Sequence, residues 1–134
     1  MIFSKAIALL LITFSFIAHS HVENFDILCE DIKHSDDVSI CLIESVEEIK
    51  KEYDKSFVEY QFSIGSEGVK PYNKKEMVQL VKKAKLNWQK YIADECFIES
   101  SKFERNSTGF NDSYNICLIK NHKKRIEYYK SNRF

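Results

Sequence analysis

Cys29, Cys41, Cys96 and Cys117 hold most of the chemistry open to this chain. A thiolate can ligate zinc, attack an electrophile or join another sulfur, and spacing helps to separate the three. Zinc sites usually hold cysteines in close pairs, and none of these four is paired that way. An even count in a short exported chain reads instead as two disulfides, which leave no thiolate for catalysis. Four cysteines allow three connectivities, and the count does not choose among them. His34 and His122 belong to no recognisable nucleophile or metal motif and read as surface histidines. The adjacent acids Glu47-Glu48 and Asp94-Glu95 read as solvated, because an acid–base pair needs a cleft that drives its two pKa values apart. No glycine-rich loop is there to cradle a phosphate. The expectation is a non-enzyme with no catalytic residues, no cofactor and no metal site.

Export is read from the first twenty residues. Lys5 supplies a positive start, residues 6–17 are predominantly apolar, and Ala18-His19-Ser20 places small residues before a cut ahead of His21. This is a signal peptide, too short for a membrane span. The organisation expected is a signal peptide over 1–20 and one domain over 21–134, periplasmic or secreted. Nucleic acid is no partner for such a protein. Residues 21–67 carry thirteen acidic and four basic side chains, a net of −9, and residues 68–134 carry seven acidic and fifteen basic ones, a net of +8. Either the two halves neutralise each other by packing, or the acidic half steers a cationic partner.

The elements that carry these residues are helical. Ser35-Asp36-Asp37 opens a helix with a capping hydroxyl and first-turn acids. Val38, Leu42, Val46, Ile49, Tyr53, Phe57 and Tyr60 then recur every three or four residues, one apolar stripe on a long amphipathic helix. Gly65, Gly68 and Pro71 end it. Asn73-Lys-Lys-Glu76 has capping-box spacing and opens a second helix reaching about Glu104. Ala84, Trp88, Tyr91 and Glu95 share one face of that helix. The spacing predicts that this face is the spine of the domain, with Ala84 admitting a close neighbour and Trp88 buried against it. Ser107-Thr108-Gly109 predicts a break. Asn111 or Ser113 then caps a third, basic helix with Tyr114, Leu118, Arg125 and Tyr129 along one side. The fold class expected is all-α, a three-helix antiparallel bundle. Helices two and three meet across a short loop, which favours pairing Cys96 with Cys117 and leaves Cys29 to pair with Cys41.

Ala84, Trp88, Tyr91, Glu95 and Cys96 resemble the A-Q-x-x-W-x-x-Y-R-x-x-E-C block of the LprI-like lysozyme inhibitor family of small exported bacterial proteins. Cys29 and Cys41 resemble its leading cysteine pair, Ile49 and Tyr53 its L-N-x-x-Y helix, and Cys117-Leu118 with Arg125 its closing segment. The resemblance spans about residues 29–126. The chain departs from the pattern at Lys50, Lys85, Ile92 and His122, where the family commonly has asparagine, glutamine, arginine and threonine. The resemblance implies an exported, disulfide-tied helical domain and, for its partner, a cationic lysozyme-like cell-wall hydrolase. On that reading Glu67 and Tyr72 of the 63–72 loop enter the cleft, and Glu48, Glu52 and Glu59 form an acidic approach surface. The alternative is an envelope structural or adaptor protein without a hydrolase target, using an exposed patch of Phe97, Phe103 and Phe110.

Overall fold

Acids in the first turn and an unbroken apolar stripe dictate the first helix, α1 (Ser35–Ser63), which carries Asp36 and Asp37 at its start. The computed structural model describes Cys29 and residues 35–65 and 71–134; the signal peptide, His34, Glu67 and Gly68 lie outside the described residues. Leu42, Val46, Ile49, Tyr53, Phe57 and Tyr60 are all buried, and Val38 packs half-buried against them. Gly65 closes the helix at φ 88°, a conformation that favours glycine. A Cβ there would lie 2.7 Å from the Lys74 side chain.

The second helix, α2 (Lys74–Ser100), starts as its capping spacing predicts: Asn73 Oδ1 accepts from the Glu76 N–H at 3.1 Å. It ends earlier than expected, at Ser100 rather than near Glu104. Ser100 and Ser101 donate their hydroxyls to the Cys96 and Phe97 carbonyls at 2.7 and 2.8 Å, a local bond that competes with continued helix. Asn106, at φ 66°, then turns the chain. The third helix, α3 (Thr108–Ser131), begins earlier than expected because Ser107 caps it, accepting from the Phe110 N–H at 3.2 Å. The predicted break at Ser107-Thr108-Gly109 is the start of α3, and neither Asn111 nor Ser113 is its cap.

The protein is an all-α three-helix bundle stapled by two disulfides, Cys29–Cys41 and Cys96–Cys117. α1 and α3 run parallel, with Ser39 bonded to Asp112 at one end and Ser63 to the Phe134 amide at the other. α2 runs against both. The organising helix is α3, not α2: α1 and α2 each pack on it and have little direct contact. They meet through Tyr53 stacked on Trp88 and through Lys85 paired with Asp54.

The face of α2 that packs is also displaced from the expected one, by less than the ~100° between neighbouring residues on a helix. Ile92 and Cys96 are buried and Trp88 and Val81 partly so, whereas Ala84, Tyr91 and Glu95 point to solvent. Ala84 therefore admits no neighbouring helix. Tyr91 is satisfied on the surface, where the Glu95 carboxylate, as hydrogen-bond partner and as a charge, raises its phenol above the ordinary value.

At the centre, Tyr53 stacks on Trp88 (5.2 Å between centroids) and on its other sides meets His122 (5.0 Å) and Tyr129 (5.7 Å). Arg125, half-buried beside them, lays its guanidinium over Trp88, Tyr128 and Tyr129 at 4.5–5.7 Å. Such cation–π contacts compensate a cation for part of its lost hydration.

Candidate functional site

Two places in the fold offer more than packing: the end where α1 hands over to α2, and a cavity between the three helices. At the first, Ile64 is fully buried and locks the end of α1. The Phe134 ring lies 5.7 Å from both Tyr60 and Tyr72. Tyr72 is half-buried, and its enclosed hydroxyl has no hydrogen-bond partner among the described residues. With Pro71, Met77 and Leu80 it lines an open recess of about 340 Å³. At the penultimate residue of α1, Phe62 is 79% exposed, one turn on from Val58, 64% exposed. Phe62 was not among the expected site residues. The signal for it was its position two residues past Tyr60, off the buried stripe, and no ring contact to it is made among the described residues.

The acidic approach surface is in part neutralised. Glu48, Glu52 and Glu59 share one exposed flank of α1, but Lys130 of α3 pairs with Glu52 at 3.1 Å and Arg133 pairs with Glu59. Asp54 pairs with Lys85 at 2.5 Å. These are exposed pairs, each worth ~0–1 kcal/mol; their main effect is to cancel charge between the acidic and basic halves. Glu44, Glu47 and Glu48 make no ion pair among the described residues and keep the outer face of α1 negative. The aromatic patch is divided too: Phe97 and Phe103 are 40% and 44% exposed, while Phe110 is buried at 8% against Phe97.

His122 is no surface histidine. It is 4% exposed and donates Nδ1–H to the Leu118 carbonyl at 2.8 Å, in the tautomer that leaves Nε2 as the acceptor. Its ring meets Tyr53 and Trp88 edge-on. It lines a cavity of about 210 Å³ with Lys50, Tyr53, Asp54, Gln89 and Leu118. Its spacing of four from Leu118 and four before Ile126 was the available signal that it shares the buried stripe of α3.

No family model, no curated protein and no solved structure matches this chain.

Burial first, and then the Lys50 charge, hold the His122 imidazole below its ordinary value against the opposing pull of the Leu118 carbonyl and Asp54. The unfolded chain, with a histidine near 6.5, therefore takes up a proton that the fold refuses. The stability contributed by neutral His122 is complete above about pH 6.5 and declines as the pH falls through the unfolded value toward the lower folded one. His122→Gln, which keeps a donor for the Leu118 carbonyl, is expected to flatten this decline. Urea unfolding at pH 7.5 and 5.5 checks it: the wild type should lose up to ~1 kcal/mol more than the variant over that interval. Equal losses would place the proton uptake elsewhere. Among the described residues no three histidine, cysteine, aspartate or glutamate side chains gather as a metal site, and no helix is long and apolar enough to cross a membrane.

Proposed function

We propose that this is an exported binding protein, periplasmic or secreted, that blocks a lysozyme-like cell-wall hydrolase by protein–protein contact. The observation that carries the reading is Phe62, an aromatic side chain 79% exposed on an acid-rich helix at its junction with the loop to α2. Exposed aromatics flanked by charge are typical anchors of protein interfaces. Glu44, Glu47 and Glu48 lie along the same helix toward its start, ready to steer a cationic partner. Two disulfides suit the oxidising compartment in which such a partner is met. The resemblance of the Trp88–Cys96 block to lysozyme inhibitors points the same way. Contact falls to Phe62 and Val58, with Tyr72 and Glu67 from the loop, and approach to Glu48, with Glu52 and Glu59 contributing less because Lys130 and Arg133 already hold them.

Lysis of a Gram-positive cell-wall suspension by c-type, g-type and i-type lysozymes, with and without the purified oxidised protein, tests the reading. Stoichiometric inhibition of one type is expected, weakened at least tenfold by Phe62→Ala. Glu48→Lys should slow association several-fold at low salt and leave dissociation unchanged, whereas Glu52→Lys should do less. No inhibition of any type at a large excess of folded protein would overturn it. The exposed Phe97 and Phe103 favour the second reading, an envelope adaptor that binds another periplasmic or surface protein.

A further inference from the structure

The cavity on the α1–α2 side of α3 has a composition that core packing does not require. His122 and Leu118 form its floor, the Tyr53 ring and Ile92 its walls, and Lys50 and Asp54 stand at its exposed mouth. We propose that this cavity is a binding site for a small monocarboxylate with an apolar body, whose carboxylate pairs with Lys50 and His122.

The charges around the cavity select an anion. From α1 it is faced by Lys50, Asp54 and Tyr53, whose hydroxyl meets that of Tyr129; from α2, Lys85 cancels Asp54 at 2.5 Å; from α3 come Tyr114 and, beyond Trp88, Arg125. Asp54 and Lys85 balance, and Lys50 has no ion pair among the described residues. One unbalanced cation therefore stands at the mouth. His122 can add a second. Its Nδ1–H is committed to the Leu118 carbonyl, a bond that imidazole and imidazolium both make, so a proton from solvent adds at Nε2 without disturbing the ring. An entering carboxylate supplies the negative charge that balances Lys50, and binding takes up that proton at neutral pH. Size sets the body of the ligand. A volume of about 210 Å³ holds on the order of ten non-hydrogen atoms at the packing density of a protein interior. Tyr53, Ile92 and Leu118 offer that body an aromatic and two aliphatic surfaces, and Gln89 adds an amide at the edge. The site shares no residue with the Phe62 surface and stands or falls apart from it.

The probe is benzoate, with benzamide as its neutral and benzylamine as its cationic counterpart, titrated into the disulfide-intact protein by calorimetry and by NMR of the His122 imidazole. Benzoate should bind at least tenfold more tightly than benzamide, with benzylamine weaker still. The heat at pH 7 should differ between buffers of unlike ionisation enthalpy, reporting proton uptake, and the His122 resonance should titrate at higher pH in the complex. Lys50→Gln, at an exposed position where folding is not at stake, should weaken benzoate about tenfold and leave benzamide unchanged. Absence of benzoate binding, equal affinity for benzoate and benzamide, a His122 resonance unmoved at saturation, or indifference to Lys50→Gln would each overturn the assignment.

Discussion

Tyr53→Ala is expected to destabilise the protein by about 4 kcal/mol, the cost of emptying a large aromatic site in a packed core. Tyr53 is 1% exposed and touches Trp88 of α2 and both His122 and Tyr129 of α3. Because α1 and α2 have little other direct contact, its ring is the main apolar bridge between them. A domain of this size is stable by ~5–15 kcal/mol, so the variant should be close to the limit of folding. Urea unfolding at neutral pH measures the loss, and Tm should fall by about 15 °C. Tyr53→Phe is the control. Its hydroxyl meets that of Tyr129 at a long 3.5 Å, so removing it should cost under ~1 kcal/mol. A loss below ~1.5 kcal/mol for Tyr53→Ala would show that Trp88 and Tyr129 close over the gap and that the bridge is dispensable.

The second large effect belongs to Cys96–Cys117, which joins α2 to α3 across a sequence separation of 21. Closing a loop of that length removes chain entropy from the unfolded state worth about 3 kcal/mol. The double variant Cys96→Ser, Cys117→Ser should lose at least that much, because both positions are buried, at 0% and 2% exposure, and serine leaves polar hydroxyls in place of sulfur. Unfolding of the variant against the oxidised parent, both in denaturant, checks it. The Cys29–Cys41 bond closes a separation of 12, so the double variant there should lose slightly less. An equal stability of parent and Cys96–Cys117 variant would mean that the unfolded chain keeps these helices together without the bond.

How much of this was legible before the structure depends on the range of the interactions. α1 was readable throughout, because its start, its stripe and its glycine stop are all local. The cap of α2 was readable for the same reason. Its buried face was not: weight placed on Tyr91 and Ala84 rotated the helix, and burial follows Ile92 and Cys96. A tyrosine can stay outside when a neighbouring carboxylate takes its hydroxyl, as Glu95 does. The start of α3 was ambiguous in principle. Ser107-Thr108-Gly109 has the composition of a breaker, yet serine is also a cap, and glycine in the opening turn costs little because few hydrogen bonds are yet made there. The charge asymmetry was visible but not its outcome, since the Glu52–Lys130 pair joins residues 78 apart and depends on how α1 registers against α3. The cavity was invisible for the same reason, being a gap among three helices rather than a property of any one.

The two disulfides divide the molecule unequally. One closes α2 and α3 into a covalent hairpin; the other ties Cys29 to α1 itself and crosses to neither partner helix. α1 is thus a docked element, held on the hairpin by its buried aliphatic and aromatic stripe, mostly against α3, and by a few exposed ion pairs. In native-state hydrogen exchange its amides should open as one unit, at a lower free energy than those flanking Cys117. The seam without a covalent tie runs along the whole length of α1, and the surface that its opening bares is the aromatic floor of Trp88, His122 and Tyr129.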